Sequence, residues 1–291
     1  MPKIVDVFEM LPPDDIRHTI STPEGILHYQ EVGSGAPVLL IHSFGPQPGV
    51  TAWMIFRNVL LELSKVRRCI ALDMPNFGLS GPVLYDEPFH DVVVRSALSL
   101  LDHLSLDRVP VVGTSMGATV ALDLAIKAPD RVRGLIVGSC HASTGGDPYL
   151  LGPFPSEVQR LFDEAQLDPA DCAHTRRLLK ALVYDESLIT ESMLEAIQAF
   201  RTSHLDHWKA VAQSTSRSHS NLADLSAIDV PMKIIHGRFD RMVPFEQALM
   251  LMSYVRHADV TILNQCGHWP AFERPVTFTA IVEEWLDNNG W

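Results

Sequence analysis

Short apolar runs ending on glycine, histidine, aspartate or serine recur along this 291-residue chain at 38–42 (VLLIH), 69–73 (CIALD), 109–113 (VPVVG), 135–139 (LIVGS), 232–236 (MKIIH) and 260–263 (VTIL). Strands covered on both faces in a parallel sheet need apolar residues at every position, so they read as continuous runs and not as alternation. Amphipathic stretches of helical period lie between them, for instance 116–127, 245–256 and 276–288. Strand and helix in turn predict an α/β fold with a mostly parallel, doubly wound sheet. Ahead of the first run, 17–22 and 26–32 alternate as an antiparallel pair would. Ligands of such sheets gather at the carboxyl ends of the strands, which is where the chemistry-bearing residues fall.

The alternation stops between 141 and 221. Strand signals vanish there, and helical segments at 156–165, 175–183, 191–200 and 205–214 follow a Gly/Pro-rich stretch, GGDPYLLGPFPSE. This predicts a core of 1–140 and 222–291 and a helical cap, 141–221, inserted over the carboxyl edge of the sheet. No internal repeat or low-complexity tract is visible.

Composition narrows the function classes. Lys+Arg 23 against Asp+Glu 35 leaves a net charge of −12, which repels nucleic acid and anionic membrane. The acidic residues in MPKIVDVFEMLPPDD interrupt what a secretory signal would need, and no run of about 18 apolar residues occurs, so a cytoplasmic location is expected. Cys69, Cys140, Cys172 and Cys266 show no metal-binding spacing and are expected as reduced thiols. No metal site is expected, and homo-oligomerisation is left open.

Gly113-Thr114-Ser115-Met116-Gly117 follows one strand directly and opens a helix directly. A serine on so tight a turn is thrust out, and the small flanking residues let the backbones approach. A hydroxyl needs a base, and the base an orienting carboxylate. His268, in Asn264-Gln265-Cys266-Gly267-His268-Trp269, and Asp240, in Gly237-Arg238-Phe239-Asp240, each follow a strand. Ser115, Asp240 and His268 are therefore the candidate nucleophile, orienting acid and base. The oxyanion donors are expected to be the N–H of Met116 and one in the loop His42-Ser43-Phe44-Gly45-Pro46, with Phe44 preferred and Ser43 behind it.

Taken with HSFGPQPGVTAW, DMPNFGLSG, GTSMGA, LVYDESLITE, HGRFDRMVPFEQAL and CGHWPAFERP, these features make the chain resemble an α/β-hydrolase. Within that superfamily it is similar to the meta-cleavage-product hydrolases, which split carbon–carbon bonds in ring-opened aromatic metabolites. The resemblance implies the α/β-hydrolase fold, a triad of Ser115, Asp240 and His268, an oxyanion hole from Phe44 and Met116, a lid-like cap, a small-molecule substrate and no cofactor.

Some positions depart from that pattern. Phe44 stands where the family has glycine, Ile55 and Thr114 where it has asparagine, and Ile197 where it has the cap arginine that holds the substrate carboxylate. Arg201 lies one helical turn beyond Ile197 and either supplies that charge from a shifted position or is a solvated cap residue. Without those polar partners the enol-to-keto step before carbon–carbon cleavage loses its machinery, so cleavage of a small, aromatic-derived carboxylic ester is the leading expectation. Carbon–carbon hydrolysis is the alternative, and a non-catalytic binding protein the remote one. Ser43, Thr114, Arg201 and Trp269 are the candidate substrate-binding residues, with Phe44, Trp53, Leu150, Leu151 and Phe154 added as candidate apolar lining.

Overall fold

A computed structural model of the chain describes residues 8–144 and 156–291. Eight strands form one sheet: β1 (Arg17–Thr22), β2 (Gly25–Val32), β3 (Pro37–Ile41), β4 (Arg68–Leu72), β5 (Val109–Thr114), β6 (Val132–Gly138), β7 (Met232–Gly237) and β8 (Ala258–Leu263). Their order is β1-β2-β4-β3-β5-β6-β7-β8, antiparallel at β1/β2 and β2/β4 and parallel from β4 onward. The apolar runs predicted the six parallel strands to within three residues at each end. Val38 to Ile41 and the whole of β5 are buried, as strands covered on both faces must be. Each such Val, Leu or Ile contributes about 1.5–3 kcal/mol by leaving water.

Six helices accompany the core: α1 (Ala52–Leu63), α2 (Phe89–His103), α3 (Met116–Lys127) and, after an insertion of four, α8 (Glu246–Tyr254), α9 (Pro270–Glu273) and α10 (Pro275–Asn288). Helix α1 packs on α10, and α2 on α3. Thr51 starts α1, its hydroxyl accepting the Met54 N–H at 3.0 Å while donating to the Met10 carbonyl at 2.7 Å, so one side chain caps the helix and ties down the N-terminal lead.

The inserted helices are α4 (Ser156–Leu167), α5 (Cys172–Leu182), α6 (Glu191–Ser203) and α7 (Leu205–Gln213). Asp171 caps α5 and Thr190 caps α6 through side-chain oxygens, so the polar residues between the apolar stripes mark the helix starts. The described ends of the insertion meet: Thr144 bridges Ser220, and the Ser143 N–H donates to Asn221 Oδ1 at 2.9 Å. Leu150, Leu151 and Phe154, expected in the pocket, lie outside the described residues.

The parallel register brings the strand ends level. Ile41 sits opposite Leu72 and Gly113, Thr114 opposite Gly138, and Leu263 opposite Gly237. The residues that follow these pairs therefore converge on one edge of the sheet.

Candidate active site

Ser115 closes the turn between β5 and α3 with φ +53°, a left-handed conformation that costs a non-glycine residue of order 1–3 kcal/mol and is held only by its surroundings. Its N–H donates to the Gly138 carbonyl at 2.7 Å. A Cβ on Gly117 would collide with the carbonyl oxygens of Ile41 and His42, so glycine lets α3 start against the end of β3.

His268 Nε2 lies 2.8 Å from Ser115 Oγ, and its Nδ1 lies 2.8 Å from Asp240 Oδ2. A carboxylate oxygen only accepts, so Nδ1 carries hydrogen and, in the neutral ring, Nε2 presents its lone pair to the hydroxyl. Asp240 Oδ1 accepts the N–H groups of Met242 at 2.9 Å and Val243 at 2.8 Å. His236 Nε2 stands 3.3 Å from Oδ2 and 2.9 Å from the Val243 carbonyl. Burial by itself would raise the Asp240 pKa, but the His268 charge and the hydrogen bonds from His236 and His268 outweigh it and hold the carboxyl well below the usual range.

The His268 loop is fixed from two sides. The Glu273 carboxylate accepts the N–H groups of Gly267, Trp269 and Tyr184, and the His268 N–H donates to the Leu182 carbonyl, at the end of α5, at 2.6 Å. The insertion thus touches the loop that carries the imidazole.

Phe44 and Met116 flank Ser115 in one cavity of about 100 Å3. As the first residue of α3, Met116 has no helical acceptor for its N–H, and the Phe44 N–H meets no backbone acceptor among the described residues. Both amides thus lie beside Ser115 without a backbone acceptor among the described residues. The loop carrying Phe44 is braced beneath. Its His42 Nε2 accepts the Met74 N–H at 3.0 Å, which leaves hydrogen on Nδ1 to donate to the Ser43 carbonyl at 2.7 Å. Burial lowers the His42 pKa, in keeping with a neutral ring. Asp73, next to Met74, accepts the Ala52 N–H at 2.7 Å and the Leu79 N–H at 3.1 Å and pairs with His28 Nδ1 at 2.7 Å.

The expected substrate contacts are placed differently. Ser43 and Thr114 are fully buried with their hydroxyls 2.9 Å apart; the bond ties the oxyanion loop to β5, and neither side chain lines the cavity. Trp269 is also fully buried, edge-on to Phe272 and away from the cavity. Trp53 is buried in α1. Arg201 meets neither of its two expected environments. Its exposure is 0%, and it donates to the carbonyls of Gln47 (3.2 Å) and Ala165 (2.6 Å) and to Thr175 Oγ1 (2.9 Å). Burial lowers its pKa to about 10, which still leaves it charged at neutral pH. Through these three hydrogen bonds it ties α4, α5 and α6 to the loop that bears Phe44. Ile55 and Ile197 are buried as well.

Phe162 of α4, Met242, Val243 and His141 complete the described cavity lining. Phe44 packs between Phe77 and Phe162 at centroid distances of 5.2 and 5.0 Å, so the bulky residue in the oxyanion loop becomes part of the contact between core and insertion. His141 was missing from the expected site residues. Its signal was its position just past the carboxyl end of β6, the rule that located Asp240 and His268.

Folding also gathers Asp91, Asp123 and His219, whose ligand atoms lie within 4.8 Å of one another. They come from α2, α3 and the return from the insertion, so no spacing in the sequence could show the group. Lys127 pairs with Asp91, while Asn221 and His219 contact Asp123 at 2.9 and 2.6 Å, so protein partners already meet the acidic groups.

With this geometry established, comparison with known proteins places the chain. The profile of the alpha/beta hydrolase fold family matches residues 36–275. The chain belongs to the α/β-hydrolase family. Among similar proteins, a 2-hydroxymuconate semialdehyde hydrolase of Pseudomonas sp. (strain CF600) is 34% identical over 265 residues, 87% of this chain and 88% of that protein. A 2-hydroxy-6-oxononadienedioate/2-hydroxy-6-oxononatrienedioate hydrolase of Cupriavidus pinatubonensis is 31% identical over 268 residues, 90% of this chain and 91% of that one. A 2-hydroxy-6-oxo-6-phenylhexa-2,4-dienoate hydrolase of Comamonas testosteroni is 31% identical over 270 residues, 90% and 91% of the two chains. The solved meta-cleavage product hydrolase of Pseudomonas fluorescens IP01 superposes with a TM-score of 0.80 at 25% identity, covering 94% of this chain and 98% of that one. The α/β-hydrolase thus resembles the meta-cleavage-product hydrolases along nearly its whole length. This overturns the ester-cleaving expectation. That expectation rested on polar residues missing at single positions, whereas the similarity to carbon–carbon hydrolases runs through core and insertion together.

Proposed function

We propose that this α/β-hydrolase cleaves the carbon–carbon bond beside the 6-oxo group of a 2-hydroxy-6-oxodienoate, a ring-fission product of an aromatic compound. The observation that carries the reading is the hydrogen-bonded chain Asp240–His268–Ser115 in a cavity that Phe44 and Met116 also line, in a chain about 30% identical over nine-tenths of its length to hydrolases of that substrate class.

The chemistry follows from the atoms. In the dienol, C5 is bound through a double bond and cannot leave. Tautomerisation moves the hydroxyl proton at C2 to C5 and converts C2 to a carbonyl. Ser115 Oγ then attacks the C6 ketone as His268 Nε2 takes its proton, and the new oxyanion is received by the N–H groups of Phe44 and Met116. The C5–C6 bond breaks with its electron pair passing to C5, where conjugation with the C2 carbonyl spreads the charge and the His268 imidazolium returns a proton. Water, deprotonated by His268, releases the acid from Ser115. Asp240 remains ionised throughout and stabilises the imidazolium.

The test is to mix the purified protein with 2-hydroxy-6-oxo-6-phenylhexa-2,4-dienoate and follow the dienoate absorbance and the products. Decay of the chromophore with stoichiometric benzoate is the expected result. An intact chromophore, with Ser115 still labelled by a fluorophosphonate, would overturn the reading. The serine mechanism calls on no metal, so activity should survive a chelator.

A further inference from the structure

One side chain holds the backbone on both sides of His268. Glu273 Oε1 accepts the N–H groups of Gly267 at 3.0 Å and Trp269 at 3.1 Å, and Oε2 shares the Gly267 N–H at 3.0 Å. Oε2 also accepts the N–H of Tyr184 at 2.7 Å, two residues beyond the end of α5. Helix α9 is a single turn that ends on Glu273. The carboxylate folds back over the amides before the helix start, as an acid in a first turn does when it reaches the capping N–H.

The insertion makes the reverse contact. The His268 N–H donates to the Leu182 carbonyl at 2.6 Å. A Cβ on Gly267 would lie 2.5 Å from that same oxygen and 2.9 Å from the Tyr184 nitrogen, so glycine lets the two backbones touch. Residues 182–184 and 267–269 are thus joined in both directions, once directly and once through the carboxylate. Burial raises the Glu273 pKa, and the Tyr184, Gly267 and Trp269 amides, followed by the His268 charge, oppose that rise. The ionised carboxylate and the geometry of the loop therefore favour each other.

We infer that Glu273 is a positioning residue for His268: it joins the backbone on both sides of the imidazole to the inserted helices, so the seating of the insertion sets how well the base faces Ser115. The inference rests on His268 acting as the base of Ser115 in the reading above, and not on which bond is cleaved.

Labelling of Ser115 by an uncharged fluorophosphonate reads the base without a substrate. Its dependence on reagent concentration separates the limiting rate from the half-saturating concentration. Glu273→Gln keeps the shape and one acceptor oxygen but turns an amide donor toward the remaining N–H. It should lower the limiting rate about tenfold to a hundredfold, the loss that a small misplacement of a reacting group brings, with half-saturation unchanged and cooperative unfolding retained. An unchanged limiting rate, or a loss carried wholly by half-saturation, overturns the inference.

The link to the insertion is read by comparing Tyr184→Pro, which lacks the N–H, with Tyr184→Ala, which keeps it. Val183 caps α5 in an extended conformation, φ −104° and ψ 154°, which accepts a following proline. The proline variant should be labelled about tenfold more slowly than the alanine variant. Adding Glu273→Gln to it should cost little more, since both break the same connection. Equal rates for the two Tyr184 variants, or losses that multiply in the double variant, overturn the link. If Glu273→Gln does not fold, the Tyr184 pair alone decides. Unaltered protein that is labelled at Ser115 but leaves a dienoate intact would sink the cleavage reading, while the labelling rates would still judge Glu273.

Discussion

Asp240 collects donors from two backbone amides and lies beside two imidazoles, its side chain fully buried. Its carboxyl is thereby held ionised well into acid. The His268 lone pair must face Ser115 for the reaction to start. Asp240→Asn should lower kcat by about 10^4-fold with little change in KM, because the amide neither fixes the tautomer nor stabilises the imidazolium. Steady-state kinetics on the dienoate check this, and a comparable rise in KM would place Asp240 in substrate binding instead. Ser115→Ala should lower kcat on the order of 10^6-fold while the protein melts normally. Fluorophosphonate labelling that maps to another serine would remove Ser115 from the role. The meeting of these three residues was legible because each stands just past an apolar run. The neighbours of Ser43, Thr114 and Trp269 were not, because residue type and position say nothing of which groups a side chain meets.

Among the elements, the inserted helices depend on a side chain whose sequence context pointed elsewhere. Arg201 lies at helical spacing from the expected carboxylate clamp, yet it is turned inward and joins three helices of the insertion to the loop that bears Phe44. Arg201→Met should leave the Gln47 and Ala165 carbonyls and the Thr175 hydroxyl short of donors, at about 1–3 kcal/mol for each group left unpaired. A lower denaturant midpoint and faster proteolysis of the insertion are expected. The fall in kcat/KM should be alike for a dienoate and for an uncharged aryl ester used as a probe, since the damage is to the loop. A loss confined to the carboxylate-bearing substrate would restore Arg201 as a clamp. The helix start at Met116 depends on Gly117 in a comparable way. Gly117→Ala must push α3 away from the carbonyls of Ile41 and His42, so it should lower both stability and kcat, measured by urea denaturation and by turnover.

For the molecule as a whole, the buried acids set the response to pH. Asp73 lies between β4 and the oxyanion loop; burial raises its pKa, but His28, His42 and the Ala52 N–H together lower it below the ordinary value. Asp240 is shifted in the same direction. A carboxyl whose folded pKa lies below its unfolded value of about 3.9 binds its proton more readily in the unfolded chain. The stabilisation is therefore complete above that value and disappears as the pH falls through the folded pKa. Urea denaturation should give a plateau above about pH 5 and a steep decline below about pH 4. Asp73→Asn should lower the plateau and flatten the decline, and an unchanged slope would show that Asp73 takes no part in it. The net charge of −12 adds self-repulsion at high pH, screened by salt.

The parallel sheet, the helical insertion and the approach of Ser115, Asp240 and His268 follow from local chemistry, since hydrophobic period, helix caps and small residues around a tight turn act over a few residues and leave their mark in the sequence. Ile55, Ile197 and Arg201 are different. Their types alone suggested a dismantled carboxylate site and an ester substrate, an expectation overturned by the similarity to carbon–carbon hydrolases along nearly the whole chain; only the tertiary structure shows that Arg201 points into the insertion and that His141 reaches the cavity. Which face a side chain presents, and which acceptor lies within 3 Å of it, depends on segments distant in the chain being packed together. Asp91, Asp123 and His219 make the same point, meeting from three separate elements. Periodicity is a short-range property and can be read along the chain, while the partner of a buried polar group is long-range and exists only once the core has closed around it.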